Sequence, residues 1–301
     1  MKTYNVNLNI DEHNLDNIFL KCPFCLTSNK QTKIGVLQDE PLINALQCSN
    51  CHLGYADRQP SQQFLNDYYT NYFDSSRHTT IKKELLIDHL MDLFGAIECG
   101  ENFNILDFGG GDGSIGYGIA VKILQIYKNT KVNFYVVDPN SGGLNNTEKS
   151  INVHNYSNLE SLDLVEKMDI VIASASLEHV KDPRKVLTRL LHQMKPNGKF
   201  YARTPYIFPF KYLIDKIGKR LDIGYPGHLF DMGNSFWNRV LETVEENNNY
   251  ETLISKTSLV ETTFKEWFSR TLIAYIFKFP SRFFKKHYHF VGGWEIVISK
   301  K

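Results

Sequence analysis

Long hydrophobic runs are missing from this chain. Nowhere do 18 apolar residues follow one another, so no membrane-spanning helix is expected. Charge of one sign is missing too. Lys and Arg number 34 against 33 Asp and Glu, a net charge of +1, which supplies no global field to draw in nucleic acid. The first residues show no basic stretch followed by an apolar core, so no secretory signal is expected and the cytoplasm is the expected compartment. Cysteine is scarce, five in 301 residues, yet four of the five fall in two Cys-x-x-Cys pairs. In a reducing compartment such pairs read as metal ligands before disulfides. The fifth, Cys99, reads as a packing residue. A chain of 301 residues with 42% apolar content suits one large α/β domain plus a small appendage.

What is present centres on Ile105-Leu-Asp107-Phe-Gly109-Gly110-Gly111-Asp112-Gly113-Ser114-Ile-Gly116. An apolar run, Phe103 to Phe108, reads as a buried strand. It stops at glycines, and an apolar periodic stretch, Ile115 to Tyr127, reads as a helix. Strand, glycine turn and helix together bring bare backbone close to a nucleotide. Glycine is required where a Cβ would block that approach or forbid the turn. Gly111-x-Gly113-x-x-Gly116 matches a dinucleotide fingerprint. A second reading puts an acid at the strand end, Asp107-x-Gly109-x-Gly111-x-Gly113, where it would favour a cationic ligand group. Further along, Val132 to Val137 alternates like a strand and ends in Asp138-Pro139, where a carboxylate can accept two ribose hydroxyls under either reading. Asp169 to Ser174 is a third apolar run, followed by Ser176-Leu-Glu178-His179-Val180. Asp182 is the expected N-cap of a helix opening at Pro183. Met194 to Phe200 reads as a turn into another strand.

These motifs, in this order, resemble class I S-adenosylmethionine (SAM) methyltransferases over roughly residues 81 to 300. The resemblance implies a Rossmann-like α/β sheet with helices on both faces. It implies a SAM site built from Asp107, Gly109, Gly111, Gly113, Asp138, Pro139, Ser174 and Glu178. In that family an acid after the third strand commonly meets adenine; Asn155-Tyr156 stands there instead, and Tyr156 is the expected contact. Two histidines are candidate bases for a hydroxyl acceptor, His179 after the fourth strand and His228 in a later loop. Each could equally be structural.

The first 60 residues carry Cys22-Pro-Phe-Cys25 and Cys48-Ser-Asn-Cys51. The stretch between can form a hairpin from Ile34–Leu37 and Ile43–Gln47. Two such knuckles closing one tetrahedral thiolate site is the zinc-ribbon pattern, so a structural Zn2+ is expected on Cys22, Cys25, Cys48 and Cys51. Residues 61–80 are a tyrosine-rich link that either packs the ribbon on the main domain or lines an acceptor pocket. A ribbon, such a link and this kind of SAM domain resemble methyltransferases of sugar and surface-glycan (polysaccharide) biosynthesis. The implied acceptor is a small molecule, nucleotide sugar or glycan.

The methyltransferase domain is expected over 81–301. An amphipathic helix over 81–97 opens it, with Ile81, Leu85, Leu86, Leu93, Phe94 and Ile97 on its apolar face. An acceptor lid is expected at about 204–234, which is aromatic and broken by Pro and Gly. A helix is expected over 235–246, and strands over 250–256 and 293–299 close the chain. Resembling sugar C-methyltransferases carry a further C-terminal domain, so O- or N-methylation is expected here. Residues 271–287 mix Phe277, Phe279, Phe283 and Phe284 with Lys278, Arg282, Lys285 and Lys286. They read as a packed helix with a solvated basic edge, as a peripheral membrane contact, or as a site for RNA or a phosphorylated acceptor. Near-neutral charge argues against nucleic acid as a partner, although a zinc-containing RNA base methyltransferase remains the alternative enzyme and a non-catalytic SAM-fold binding module the alternative class. No sequence feature sets the oligomeric state.

Overall fold

A computed structural model describes residues 10–28, 30–69, 83–139, 141, 144, 146–162, 166–244, 247–260, 262–284 and 288–301. Expectations resting on Tyr72, Phe73, Ile81, Gly142, Gly143, Lys285 and Lys286 lie outside the described residues.

Two sheets organise the chain. The smaller is built from β1 (Gln31–Gln38), β2 (Ile43–Cys48), β3 (Gly54–Ala56) and the short β9 (Phe230–Asp231), in the order β1-β2-β3-β9 and antiparallel throughout. The expected hairpin is β1–β2. The fourth strand is a surprise, because it comes from the lid: Gly54 faces Asp231 and Tyr55 faces Phe230.

The larger sheet has seven strands in the order β10-β11-β8-β7-β4-β5-β6. β4 (Asn102–Phe108), β5 (Lys131–Val137), β6 (Ile151–Tyr156), β7 (Met168–Ser174) and β8 (Met194–Tyr206) run parallel. β11 (Gly292–Lys300) joins β8 antiparallel, and β10 (Tyr250–Thr257) joins β11 antiparallel. This is the Rossmann-like methyltransferase sheet that the motifs imply. The expected turn at 194–200 is instead a bulge inside β8: Met168 pairs with Met194, but Ile170 pairs with Lys199.

Helices cover both faces. α1 (Gln62–Asp67) starts at Ser61, whose Oγ accepts the Phe64 N–H. α2 (Lys83–Phe94) and α3 (Ser114–Ile126) close one face. In α2 the buried set is Leu86, Ile87, Leu90, Leu93 and Phe94, while Leu85 points to solvent. Full burial of such side chains stabilises by roughly 1.5–3 kcal/mol each before ordering costs. α4 (Pro183–His192) packs on the other face, with Asp182 accepting the Lys185 N–H as its N-cap.

That second face shares its core with the cysteine module. Phe24 meets Phe236 edge to face at 4.9 Å, and Cys22, Cys48, Cys51 and Tyr55 belong to the same buried cluster as Trp237 and Val240. α5 (Phe208–Lys216) follows β8 directly. The helix expected over 235–246 is two single turns, α6 (Asn234–Trp237) and α7 (Val240–Thr243), interrupted at Asn238 and Arg239. The helix expected over 271–287 starts earlier, as α8 (Phe268–Lys278), and breaks at Pro280 before α9 (Ser281–Phe284). Among the described residues, no helix is long and apolar enough to cross a membrane.

Candidate active site at the glycine turn

The turn after β4 is held from inside. Asp107 is 2% exposed, and its Oδ2 accepts the Gly116 N–H at 3.2 Å. Burial pushes its carboxyl up to about 7, against the opposing pull of that hydrogen bond. A Cβ on Gly110 would sit 2.6 Å from the Asp107 carboxyl carbon, so the chain wraps directly over this acid. Asp107 therefore shapes the turn from below. From the neighbouring strand, Asp138 reaches across and accepts the Gly111 N–H at 3.0 Å, while Pro139 is exposed beside it.

Gly109, Gly111 and Gly113 are all left-handed, with φ of 68°, 56° and 74°. Their surroundings differ. A Cβ on Gly109 would meet Ser176 Cβ at 2.4 Å, and one on Gly113 would meet Val136 Cγ2 at 2.8 Å. A Cβ on Gly111 would meet nothing within 4 Å. Gly111 thus presents bare backbone to open space at the carboxyl end of the parallel strands, where α/β sheets take their ligands.

The close approach at Gly109 brings a second segment to the turn. β7 ends at Ser174, and Ala175 is left-handed at φ 55°, a strained conformation for a residue with a Cβ. That bend seats Ser176 against Gly109 and starts the short 3-10 turn Leu177–His179. Ser174 Oγ, Ser176 Oγ and Glu178 Oε2 are buried with no hydrogen-bond partner among the described residues. Three orphaned polar atoms on a segment that packs against the glycine turn are what a ligand site requires. Tyr156, half-buried at the end of β6, has its ring stacked towards Tyr135, with centroids 6.4 Å apart.

The loop expected as a lid packs against the Leu177–His179 turn. Leu229 N–H donates to the Glu178 carbonyl at 2.8 Å, and His179 Nδ1 lies 2.8 Å from the Gly227 carbonyl. His228 Nδ1 lies 2.9 Å from the Ile223 carbonyl. A carbonyl oxygen only accepts, so in both rings Nδ1 carries the proton and Nε2 keeps the lone pair. The two rings are 4.9 Å apart, and His179 Nε2 is 3.9 Å from Glu178 Oε1. Glu178 is 2% exposed, and burial raises its carboxyl while the nearby His228 pulls it down. Gly224, at φ 86°, lets the chain pass beside His228; a Cβ there would lie 3.0 Å from Nδ1.

Two further residues join this site, one from the tyrosine-rich link and one that sequence reasoning missed. Tyr69, from the link, places its hydroxyl 3.2 Å from His179 Nδ1 and 3.4 Å from the Gly227 carbonyl. Asp231 is buried, and its Oδ2 accepts the N–H groups of Ile207 and Phe208, capping α5 from the lid strand. Burial pushes Asp231 up to about 7. Tyrosine density signalled the first; nothing local signals the second, whose partners lie more than 20 residues away.

Two clusters among the described residues have donor sets for a cation. The Sγ atoms of Cys22, Cys25, Cys48 and Cys51 all lie within 4.8 Å of one another, with Cys22–Cys51 and Cys25–Cys48 at 3.6 Å. A zinc tetrahedron with bonds of about 2.3 Å has sulfurs about 3.8 Å apart, so the cluster fits. The hydrogen bond between Cys22 and Cys51 lowers the former to about 5 and raises the latter, as for two thiols sharing one proton. Glu178, His179 and His228 also fall within 4.8 Å of one another. Neighbouring ligands of a divalent ion at about 2.1 Å sit only about 3.0–3.4 Å apart. Within the cluster, His179 Nε2 and Glu178 Oε1 lie 3.9 Å apart, wider than that.

A mostly parallel sheet with an open glycine turn, orphaned polar atoms and paired imidazoles on the loops after its strands marks an α/β protein with a ligand site at the carboxyl ends of those strands. More particularly, the chain belongs to the methyltransferase-domain family, whose profile, described as "Methyltransferase domain", matches residues 77–256. No curated protein matches the chain by sequence. Solved structures similar to it include the plantazolicin methyltransferase BamL with a triazolic substrate analogue and S-adenosylhomocysteine, at 13% identity, 79% of this chain, 94% of that one and TM-score 0.44. Haemonchus contortus phosphoethanolamine N-methyltransferase 2 shares 14% identity over 85% of this chain and 71% of its own, TM-score 0.46. Coclaurine N-methyltransferase shares 13% over 72% and 70%, TM-score 0.43. Likenesses this small say nothing about the acceptor.

Proposed function

We propose that this methyltransferase uses SAM to methylate a hydroxyl, or an amine, of a sugar, nucleotide sugar or surface-glycan precursor. The observation that carries the reading is the meeting of Glu178 and His179 with His228 of the lid, on the segment that Ser176 anchors against Gly109 of the glycine turn. Bare backbone at Gly111, the Asp138 carboxylate and the orphaned oxygens of Ser174 and Ser176 suit a donor rich in hydroxyl, amino and carboxylate groups. When bound, the donor supplies an activated methyl group on a sulfonium.

The residues of this chain then align and deprotonate. The lid, with Tyr69, closes over the acceptor and excludes water; positioning of this kind is worth roughly 7–11 kcal/mol. A bound donor would give its methyl to the acceptor oxygen and keep the S–CH3 electron pair on sulfur, so the residues here need only take up the acceptor proton. The acceptor O–H proton passes to an imidazole Nε2, His228 being favoured because it sits in the lid. The buried Glu178 carboxylate stabilises the imidazolium that results. The Gly227 and Ile223 carbonyls keep both rings in the basic tautomer. The cysteine cluster holds a structural Zn2+, whose four thiolates leave no open position for chemistry.

The test is to incubate the protein with methyl-labelled SAM and a fractionated cell extract. Label in nucleotide-sugar or glycan fractions supports the reading. Label in RNA, with an affinity that falls steeply with salt, replaces it with RNA methylation. Intact SAM binding with no label in any fraction removes the acceptor class proposed here.

A further inference from the structure

We propose that α8 and α9 form a membrane-facing element that docks the protein on an anionic lipid surface. The argument starts from an inverted helix. The α8 residues turned into the protein are polar. Thr271 is 1% exposed and bonds Thr262 through its hydroxyl, and the Lys278 ammonium donates to the Ser258 and Leu259 carbonyls. Most residues turned outward are apolar. Phe268, Leu272, Ile273, Ile276, Phe277, Phe279, Phe283 and Phe284 are each between 40% and 69% exposed. Scattered exposed apolar residues are ordinary, but eight on adjoining turns make one patch, and such patches mark an interaction surface. Phe268, Leu272 and Ile276 follow one another at a spacing of four, so they form a single ridge. A helix satisfies its own backbone groups and so tolerates lipid, as an open sheet edge does not.

Charge decides the occupant. The exposed ions on this element are Arg270 and Arg282, preceded by Lys265 and Glu266. The sequence continues with Lys285 and Lys286. Cations therefore outnumber acids around the patch. A second copy would bring two positive rims together, whereas an anionic bilayer complements them, and interfacial elements pair this apolar face with basic residues. A cleft of about 560 Å3 opens at the base of the element, lined by Val260, Ile276, Phe279 and Arg282 among others. Its apolar wall and guanidinium suit an acyl chain beside a phosphate.

The element also touches the acceptor side. Phe210, in α5 just after β8, packs on Phe277 at 5.1 Å. A docked protein would therefore hold the lid region near the lipid surface. The docking itself does not depend on the acceptor reading.

The experiment is flotation of the full chain with vesicles of phosphatidylcholine alone or with 30 mol% phosphatidylglycerol, alongside light scattering for mass. Expected is flotation with the anionic vesicles at low salt, weakened by high salt and by omission of the anionic lipid. The triple variant Ile276→Ser, Phe283→Ser, Phe284→Ser should lose at least tenfold in vesicle affinity while keeping the wild-type circular dichroism. Arg282→Glu should bind more weakly and with less salt dependence. His179→Ala should float as wild type, so loss of the catalytic reading leaves this one standing. No flotation at low salt, or flotation indifferent to these substitutions, overturns the proposal. So does a dimer that the triple variant dissolves in the absence of any vesicle binding, which would reassign the patch to self-association.

Discussion

Gly111 and Gly95 form a matched pair that tests the donor site without touching any charged group. Both are left-handed, at φ 56° and 60°, and at both a Cβ would meet nothing within 4 Å. Alanine at either position pays the same backbone strain, roughly 1–2 kcal/mol. For a domain of this size each kcal/mol lowers Tm by about 2–4 °C, so the two variants should melt a few degrees below wild type and close to each other. They differ in what the open space is for. At Gly95 it is solvent beyond the end of α2, whereas at Gly111 it is the carboxyl end of the parallel strands, where the donor is proposed to sit. Gly111→Ala should therefore lose SAM affinity by tenfold or more, about 1.4 kcal/mol, while Gly95→Ala binds as wild type. Gly109→Ala adds a collision at 2.4 Å with Ser176 and should be the least stable of the three. Calorimetric titration with SAM and a thermal melt on each variant suffice. Equal SAM affinity in Gly111→Ala and Gly95→Ala would refute the reasoning, since the open side of the turn would then hold no donor.

Four further outcomes are expected. His228→Ala should cut turnover by about 10²–10⁴-fold with SAM affinity retained, and His179→Ala should do likewise to a smaller degree; full activity in both variants would remove the base assignment. Asp138→Ala frees the Gly111 N–H and should weaken SAM binding in calorimetry, so an unchanged affinity would remove Asp138 from the donor site. Cys22→Ser with Cys51→Ser should abolish zinc in elemental analysis and lower Tm by well over 10 °C, because apparent zinc binding is worth on the order of 10 kcal/mol and this cluster shares its core with Trp237; purified wild type without bound metal would contradict it. Asp231 binds its proton more tightly folded than unfolded, so its contribution to stability is full below about pH 4 and is lost as pH rises through about 7. Asp231→Asn should therefore be stabilised relative to wild type most at pH 8 and progressively less towards pH 5, and parallel melting curves across that range would count against the shift.

The β4–turn–α3 unit and the parallel strands were legible because their signals are local. Asp107 to Gly116 spans ten residues, and its spacing is the same whatever the rest of the chain does. The paired cysteines were legible for the same reason, since each knuckle closes over four residues. The Asp182 cap and the order of the strands followed from equally short patterns. Where a pattern was read too smoothly, a backbone detail intervened. Pro280 split the last helix, Asn238 and Arg239 split the one before it, and a bulge at 194–199 absorbed an expected turn.

What only the tertiary structure decided is what meets what. His179 and His228 are 49 residues apart in sequence and 4.9 Å apart in space, brought together by Ala175 bending the chain and the lid bonding back to Glu178. Lid residues Phe230 and Asp231 complete the cysteine module's sheet, a pairing no periodicity encodes because a two-residue strand has none. Composition showed that residues 271–287 are aromatic and basic, but not that the apolar side of α8 and α9 faces out. Burial depends on which neighbours arrive, and here the neighbours took Thr271 and Lys278. The sequence by itself determined the residues able to hold a nucleotide-like donor and a metal, because those abilities reside in short spacings. Folding decided that the two imidazoles meet and that the apolar side of α8 faces out, because these depend on contacts between segments far apart in the chain.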